Sequence, residues 1–389
     1  MNRARVGERM WAWIAALVAG CAGSAPPMEE PMEDSPEGAE DTVPDGSTPP
    51  DDADLPTPEL VVLSLNLHCF KTEATSFPDN AARFAAIADV VAAEQVYAIA
   101  VQEACQRDGA PTAMEQLADA LQAATGQTWG TAWTPVHMAW EGTPDEALEG
   151  VGLLVRGEDP QDVVVVDHAV QGALWRRSIG CRLPNTSVRL FSTHLEYNDA
   201  SARRAQAREL AMHALVPEDP RTLLAGDYNA TAGDAPIADM LAAGMVRLSA
   251  PADAGGEIDH VFAPAAAGFE VLDARMLFDG GLTPVVSDHP GVLVRVREGA
   301  RRPPTVTRMV ALTEATPLFV RGDVAPLSWD LGWAAVMTAP GRWEAAWHGW
   351  EAAEGARVAF KFLRGDAAWE TGQDHEVVVG QSVEVRPVF

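Results

Sequence analysis

The most informative segment of this 389-residue chain is Thr222-Leu223-Leu224-Ala225-Gly226-Asp227-Tyr228-Asn229-Ala230. Its apolar first half predicts a buried β-strand that ends at the glycine. Side chains alternate along an extended backbone, so Asp227 and Asn229 are expected to point the same way. A carboxylate and a carboxamide at the end of a buried strand indicate a functional site, although a simple turn explains this segment equally well.

Several other predicted strands also lead into polar side chains. The apolar runs 60–65 and 98–102 have the length of strands, and each is followed by a carboxylate or a carboxamide. One such residue is weak evidence, because a lone polar side chain beside a strand is usually a satisfied structural group. Their joint occurrence indicates a site. The candidate site residues are Asn66, Glu103, His194, Asp227, Asn229, Asp259, Asp288 and His289.

Predicted helices alternate with these strands. Apolar residues at helical spacing predict helices over 80–93, 112–125 and 200–215. Several strand connections, such as 184–186, are as short as hairpins, so the sheets should be mixed rather than purely parallel. Two mixed sheets packed face to face, with helices outside, would bring the polar strand ends to one rim.

These residues resemble the motifs of the endonuclease/exonuclease/phosphatase superfamily. The resemblance covers about 60–296 and implies a four-layered α/β sandwich, in which two mixed β-sheets are flanked by helices. Tyr228 stands where a phenylalanine is more usual. The matching segments, in chain order, are Asn66, Gln102-Glu103, Thr193-His194-Leu195, Gly226-Asp227-Tyr228-Asn229, Ile258-Asp259-His260 and Ser287-Asp288-His289.

The resemblance implies a divalent cation. Glu103 would be its main ligand, with Asn66 and Asp288 beside it. Hard oxygen donors of this kind suit Mg²⁺ or Mn²⁺. The cation would polarise a phosphoryl group and offset the negative charge that develops on it.

The resemblance also implies roles for the other candidates. Asp227 would orient and deprotonate the attacking water, and Asn229 would hold the water or the phosphate. His194 and His289 would donate hydrogen bonds to phosphoryl oxygens or to the leaving oxygen. Asp259 would orient one imidazole, that of His289 in first place, and favour its charged form.

The charge balance bears on the substrate. The chain has 28 lysines and arginines against 56 aspartates and glutamates, a formal net charge of -28. This argues against broad electrostatic capture of nucleic acid, but a local basic groove or a bound cation remains compatible. Arg176 and Arg177 could lie near the site, but a surface position is expected for both. Three tryptophans would stack on a base or sugar, face a lipid surface, or pack a hairpin: Trp129, Trp133 and Trp140.

The start of the chain resembles an export signal. Basic residues precede an apolar run, Met10–Ala19, that is too short for an ordinary membrane span. Leu17-Val18-Ala19-Gly20-Cys21 resembles a bacterial lipobox, so we expect 1–21 to be a signal peptide and Cys21 to carry lipid. A plain signal peptide or a short buried helix is the alternative. Residues 22–58 have the composition of a disordered acidic linker.

Three cysteines remain beyond Cys21. If the strand ends after Asn66 and before Cys105 are neighbours, Cys69 and Cys105 can form a disulfide in an exported protein. Three buried free thiols, Cys181 included, are an equally good account.

The C-terminal part has a different pattern. After the catalytic region at 59–298 and a short linker, residues 305–389 contain short alternating strands that predict a small immunoglobulin-like β-sandwich. Phe319-Val320-Arg321-Gly322-Asp323 and Trp369-Glu370-Thr371-Gly372 resemble parts of a starch-binding module, which implies a polysaccharide partner. Core packing or protein docking are the alternatives. The tryptophans concerned are Trp329, Trp333, Trp343, Trp347, Trp350 and Trp369.

Together these features predict a metal-dependent hydrolase of phosphate esters in a bacterial cell envelope, tethered to the membrane by the lipid on Cys21. A phosphodiesterase or nuclease ranks first, and a lipid phosphodiesterase or phosphomonoesterase second. The substrate would be a nucleic acid, a phospholipid or a sugar phosphate. A non-catalytic carbohydrate-binding envelope protein is the alternative of a different class.

Overall fold

The structure is a computed structural model that describes residues 59–219, 221–252, 257–300, 305–349 and 355–389. The predicted signal peptide, Cys21, the acidic linker and Trp350 lie outside these residues. Among the described helices, none combines the length and the apolar character needed to cross a bilayer.

The described residues form strands and helices that alternate in the first two thirds and are almost all strands thereafter. In chain order they are β1 (Glu59–Asn66), α1 (Asn80–Ala93), β2 (Ala98–Gln102), α2 (Ala113–Thr125), β3 (Trp129–Ala139), β4 (Ala147–Arg156), β5 (Gln161–Asp167), β6 (Arg177–Arg182), β7 (Arg189–His194), α3 (Ala200–Leu215), β8 (Thr222–Asp227), α4 (Ala235–Ala242), β9 (Met245–Arg247), β10 (Asp259–Pro264), β11 (Phe269–Leu277), β12 (Gly291–Glu298), β13 (Val306–Leu312), β14 (Leu318–Gly322), β15 (Trp333–Ala334), β16 (Val336–Ala339), β17 (Arg342–His348), β18 (Arg357–Arg364), β19 (Ala368–Trp369), β20 (His375–Val378) and β21 (Ser382–Val385).

Two six-stranded mixed sheets form the first part of the molecule. The first has the order β11-β12-β1-β2-β4-β3, and the second has the order β5-β6-β7-β8-β10-β9. In each sheet one parallel pair, β1 with β2 or β7 with β8, lies among antiparallel neighbours. These sheets, with helices outside them, confirm the predicted four-layered α/β sandwich.

The alternation of side chains explains the layers. In β1, Leu60 and Val62 face the core between the two sheets, whereas Leu63 and Leu65 face a second core beneath α1 and α2. In β8, Leu223 and Ala225 face the inter-sheet core, and Leu224 faces α3. Every residue of β8 is buried, as expected for a strand covered on both faces.

The C-terminal residues form two further sheets, β16-β17-β13-β21 and β15-β14-β18-β19, with β20 paired to β18. They pack as the predicted sandwich around Trp333, Trp347, Phe360 and Phe362. The sandwich is not a free-standing appendage, because its interior and the outer side of α3 belong to one continuous hydrophobic cluster.

Polar contacts reinforce this junction. The Arg208 guanidinium donates to the main-chain oxygen of Leu331 at 2.9 Å and lies over the Trp333 ring. On the other side of the junction, the His348 ring nitrogen Nε2 lies 2.9 Å from the Leu215 oxygen. Because the middle and the C-terminal end of α3 are held by the sandwich, the two parts of the chain form one packed unit.

Candidate active site

Strand register alone brings three of the predicted site residues together. In the parallel pair β7–β8, His194 lies opposite Asp227. In the antiparallel pair β8–β10, Asp259 lies opposite the same Asp227. Residues opposite each other on adjacent strands have Cβ atoms about 5 Å apart. The second sheet therefore presents an imidazole and two carboxylates side by side.

Gly226 makes this register possible. Its φ is 154°, and a Cβ at this position would lie 2.1 Å from the main-chain oxygen of Thr193. Only glycine lets β8 approach β7 so closely just before Asp227. The Asn229 N–H then donates to Asp227 Oδ1 at 2.8 Å, and the Asn229 amide donates to the Leu195 oxygen at 2.9 Å. The segment therefore forms a turn after β8, and the functional role of Asp227 and Asn229 stays a prediction.

The first sheet contributes Asn66 and Glu103. The Asn66 amide donates to Glu103 Oε1 at 3.0 Å and lies 3.4 Å from Asp227 Oδ2, so the polar rims of the two sheets meet. Glu103 has a φ of 47°. This left-handed conformation costs a non-glycine residue on the order of 1–3 kcal/mol and is often retained at functional sites.

Two structural devices hold the loops that carry these residues. Cys69 and Cys105 form a disulfide. The Cys69 N–H also donates a hydrogen bond to the main-chain oxygen of Glu103 at 3.0 Å. Cys181 is buried and free. The fully buried Arg83 donates to the main-chain oxygens of Leu67, Cys69, Lys71 and Val286. The Asn66 loop and the segment before Asp288 are therefore tied to one guanidinium on α1.

The two histidines differ in charge. His289 Nδ1 lies 2.8 Å from Asp259 Oδ2. Burial alone would lower the pKa of His289, but the hydrogen bond and charge of Asp259, with Asp227 and Asp288 adding, raise it to about 10. Burial, helped by the positive charge of Arg176, lowers the pKa of His194 to about 4. At neutral pH the site therefore contains one imidazolium and one neutral imidazole, a pairing that separates acid from base.

Buried carboxylates surround these rings. Burial raises the pKa of Glu103, Asp227 and Asp259, and mutual repulsion between carboxylates adds to the effect. Asp259 Oδ1 is buried and has no hydrogen-bond partner among the described residues. A site with this excess of buried negative charge gains stability from a cation.

The donor set fits a divalent cation. Carboxylate oxygens of Glu103 and Glu149 lie within 4.8 Å of each other, and a second group of ligand atoms at this spacing comes from Asp227, Asp259 and His289. These are mainly hard oxygen donors. Cys69, which also lies within reach of Glu103, is taken by its disulfide.

Asp288 occupies a different position from the other two predicted ligands. Its Oδ1 lies 3.3 Å from His68 Nδ1 and 3.8 Å from His289 Nε2. Among the described residues, the close group of ligand atoms around Glu103 includes Glu149 and not Asp288. Asn66 and Glu103 are in direct contact with each other, and the ligand roles of Asn66, Glu103 and Asp288 all stay predictions.

A buried charged cluster beside His194 was missed by the sequence reasoning. Glu149 Oε1 lies 3.3 Å from the Arg176 guanidinium and 3.4 Å from His194 Nδ1, and Glu149 Oε2 lies 3.5 Å from His137 Nε2. The expected surface position of Arg176 was wrong, because pairing with Glu149 compensates its charge inside the protein. Arg177 is half-buried and pairs with Asp167 at 2.5 Å. The sequence feature that could have indicated this cluster is Glu149, an acidic residue among the apolar residues of β4.

These groups open into a cleft of about 400 Å³. Trp140 and Tyr197 line it, whereas Trp129 is buried in the core and Trp133 donates to the Ala104 oxygen. The packing explanation therefore applies to two of the three tryptophans. The cleft is lined by His68, Glu103, His137, Met138, Ala139, Trp140, Glu149, Leu174, Arg176, His194, Tyr197, Asp227, Asn229 and His289.

A solved structure with a TM-score above 0.5 has the same fold, and two others are similar to this chain with lower scores. An endonuclease/exonuclease/phosphatase family protein from Leptotrichia buccalis matches with a TM-score of 0.52 and 16% identity, over 61% of this chain and 99% of that one. Sphingomyelinase C from Streptomyces griseocarneus matches with a TM-score of 0.42 and 20% identity, over 61% and 99%. The human Nocturnin catalytic domain matches with a TM-score of 0.47 and 14% identity, over 62% and 96%. No curated protein sequence matches the chain.

A family model provides the assignment that these distant structures do not. It describes the endonuclease/exonuclease/phosphatase family and matches residues 63–289, which is more than half of the chain and includes every predicted site residue. The chain belongs to the endonuclease/exonuclease/phosphatase family, whose members hydrolyse phosphate esters.

Proposed function

We propose that this protein is a divalent-cation-dependent phosphodiesterase. One observation carries the proposal: the Asn66–Glu103 pair, Asp227 and the Asp259–His289 pair come from two sheets and meet at one cleft. Phosphoryl transfer depends mainly on positioning and on electrostatic stabilisation, and this set of groups can supply both.

Asp227 is suited to be the general base. Its Oδ1 accepts the Asn229 N–H, which fixes the orientation of the carboxylate. Its Oδ2 lies 3.4 Å from His194 Nε2 and 3.9 Å from His289 Nε2. Oδ2 therefore faces the groups that would surround a phosphoryl oxygen, and it is the atom that we assign to the attacking water.

The histidines act as donors. Nδ1 of His289 is held by Asp259, so Nε2–H of this imidazolium is directed at the phosphate or the leaving oxygen. In the neutral ring of His194, Nδ1 lies 3.4 Å from Glu149 Oε1 and Nε2 lies 3.4 Å from Asp227 Oδ2; we place the single proton on Nε2, the nitrogen that faces the assigned base. A cation held by Glu103 and Asn66, Mg²⁺ or Mn²⁺ by its oxygen donors, would polarise the phosphoryl group when bound.

The walls of the cleft favour a compact substrate. Arg176 is the one lysine or arginine among the described residues that line it, and Glu149 already neutralises that charge. Duplex nucleic acid is bound mainly by lysines and arginines that contact phosphates. Met138, Trp140 and Tyr197 offer apolar and aromatic contact instead. A phosphodiester with a small organic leaving group fits this cleft better than a long polyanion.

Hydrolysis of bis-p-nitrophenyl phosphate tests the proposal. Turnover should require Mg²⁺ or Mn²⁺ and should stop with EDTA. A panel of plasmid DNA, RNA, sphingomyelin and sugar phosphates would then rank the diester, lipid and monoester alternatives. Absence of turnover on every member of the panel, with either metal, would favour the non-catalytic alternative.

Glu103→Gln is expected to weaken metal dependence as well as rate. The change removes the charge of the central predicted ligand and keeps its shape. Metal affinity should fall by at least ~10–100-fold, the range that even outer-shell partners of a metal contribute. The measurement is the metal concentration that gives half-maximal turnover. Glu73→Gln, a largely exposed side chain, is the control, and equal metal titrations for both variants would contradict the role of Glu103.

Loss of the disulfide is also expected to weaken metal binding. The double variant Cys69→Ser, Cys105→Ser frees two loops, one after Asn66 and one after Glu103. Metal affinity should fall about tenfold, and unfolding free energy by about 2–5 kcal/mol. Metal titration and denaturant unfolding of the double variant measure the two losses. The same measurements on the unaltered protein, with and without dithiothreitol, test the effect of reduction. A metal titration that is insensitive to reduction would refute the connection.

We propose a location in the cell envelope. The lipobox-like segment at Cys21 and the disulfide both support an oxidising compartment outside the cytoplasm. Fractionation of cells that express the full chain or Cys21→Ser tests this, since the variant should leave the membrane fraction. Equal membrane content of the two would contradict lipid anchoring.

Polysaccharide binding by the sandwich is a second candidate function. Trp329 and Trp369 have ring centroids 6.0 Å apart and form, with Lys361 and Asp374, a hollow of about 360 Å³. Trp369 is 43% exposed. Paired partly exposed indoles are suited to stack on sugar rings. Retention on insoluble starch that is lost in Trp369→Ala would support this function, and equal retention of both proteins would contradict it.

A further inference from the structure

A second cavity lies between the sandwich and the outer face of the second sheet. Its volume is about 470 Å³, larger than the catalytic cleft. Cavities of this size at the junction of two packed parts are common ligand sites. Its polar lining residues include Arg189, His213, Glu218, Arg308, Arg342 and Glu344.

Among the described residues, one cation of this cavity has no ion-pair partner. Arg308 and Arg342 both pair with Glu344, and Arg342 also pairs with Glu384 at 2.8 Å. These ion pairs lower the pKa of Glu344 despite its partial burial. The Arg189 guanidinium forms no ion pair or hydrogen bond with any described residue. In a chain with twice as many acidic as basic residues, an arginine that pairs with no described acid indicates a site for an anionic ligand.

Arg189 is held in place without an acid. Its guanidinium lies 5.7 Å from the centroid of the Phe191 ring, a cation–π arrangement that leaves the donor edge of the guanidinium free. Burial, with the nearby charge of Arg189 adding, lowers the pKa of His213 to about 4. His213 is therefore neutral at physiological pH and can contribute a hydrogen bond without adding charge.

The remaining walls are apolar. Val164, Phe191, Val216 and Val336 surround the polar groups, and Glu218 is exposed at the edge. One free guanidinium matches one negative charge, whereas a doubly charged phosphate would also face the carboxylates of Glu344 and Glu218. A planar guanidinium binds a carboxylate with two parallel hydrogen bonds.

We propose that this cavity binds a small aromatic carboxylate, with its carboxylate on Arg189 and its ring among the apolar walls. The bound molecule contacts β5, β7 and α3 on one side and β13, β16 and β17 on the other. It therefore stabilises the junction between the sandwich and the α/β body. The site is separate from the catalytic cleft, with which it shares none of its lining residues.

Titration with benzoate, in EDTA, tests this site by calorimetry and by thermal unfolding. The expected result is saturable binding and a raised unfolding temperature, with affinity reduced about tenfold or more in Arg189→Ala, because a charge-assisted hydrogen bond is lost. Arg182→Ala, on the neighbouring strand and paired with Asp162, should bind as the unaltered protein does. Benzyl alcohol, which lacks the charge, should bind at least tenfold more weakly.

The variant Asp227→Asn tests whether benzoate binds in this cavity or in the catalytic cleft. Benzoate binding should be unchanged in this variant, since the cavity contains no catalytic group. No saturable binding of benzoate, equal binding by Arg189→Ala, equal binding of benzyl alcohol, or loss of binding in Asp227→Asn would each overturn the proposal.

Discussion

Asp227→Asn is expected to lower kcat for a phosphodiester by about 10²–10⁴-fold, the usual contribution of a general base. The replacement keeps the shape of the side chain and an oxygen that can accept the Asn229 N–H, a hydrogen bond of 2.8 Å. It removes the proton acceptor at Oδ2. Because burial already raises the pKa of Asp227, the neutral amide carries no new desolvation cost, and the fold should remain intact.

Steady-state kinetics with saturating metal, together with thermal unfolding, measures this effect. Asp119→Asn, an exposed aspartate on α2, is the matched control and should leave both values unchanged. Asp227→Ala should lose as much activity and also some stability, because it leaves the Asn229 N–H without its acceptor. Activity of Asp227→Asn within a few-fold of the unaltered protein would remove Asp227 from the role of base.

The candidate site residues could be predicted from the sequence because each lies at or close to one end of a buried strand. The continuous apolar runs of β1 and β8 indicate buried strands, and the order of the motifs indicates which strands belong together. The juxtaposition of His194, Asp227 and Asp259 then follows from register. Local pattern and topology were sufficient here because the site is built on rigid strand ends.

Glu149 and Arg176 were not found because their burial depends on a partner in the other sheet. Glu149 lies on β4 of the first sheet, and Arg176 precedes β6 of the second. Each alone would be expected in solvent, since a lone buried charge is costly. Only the packed structure shows that they compensate each other beside His194. Charge pairs across two sheets leave no periodic signal in either strand.

The junction with the sandwich was hidden for a similar reason. Helix α3 contains Arg203, Arg204 and Arg208, which suggests a solvent-exposed face, yet most of the helix is buried. Arg204 and Arg208 both contact Asp239 on α4, at 2.5 Å and 2.6 Å. Arg208 continues into the sandwich. A helix buried on nearly all sides needs a partner on each side, and here the second partner is the C-terminal sandwich.

Removal of 305–389 is therefore expected to prevent folding of the α/β body. Without the sandwich, the outer side of α3 would expose apolar side chains such as Leu215, and the Arg208 guanidinium would lose its acceptors at Leu331 and Gly332. Exposed apolar patches of this kind lead to aggregation. The truncated chain 59–300 should be insoluble or should lack a cooperative unfolding transition.

Two arginine variants test, without truncation, how much the contacts of α3 contribute to the free energy of unfolding. Arg208→Ala should destabilise the protein by about 3–5 kcal/mol, the cost of breaking a buried ion pair from one side. Arg204→Ala removes a partly exposed contact to the same Asp239 and should cost about 1 kcal/mol or less. Denaturant unfolding of both variants gives the difference. Equal losses of unfolding free energy in the two variants would contradict this prediction. A truncated chain with the unfolding temperature and the activity of the full protein would show that α3 does not need the sandwich.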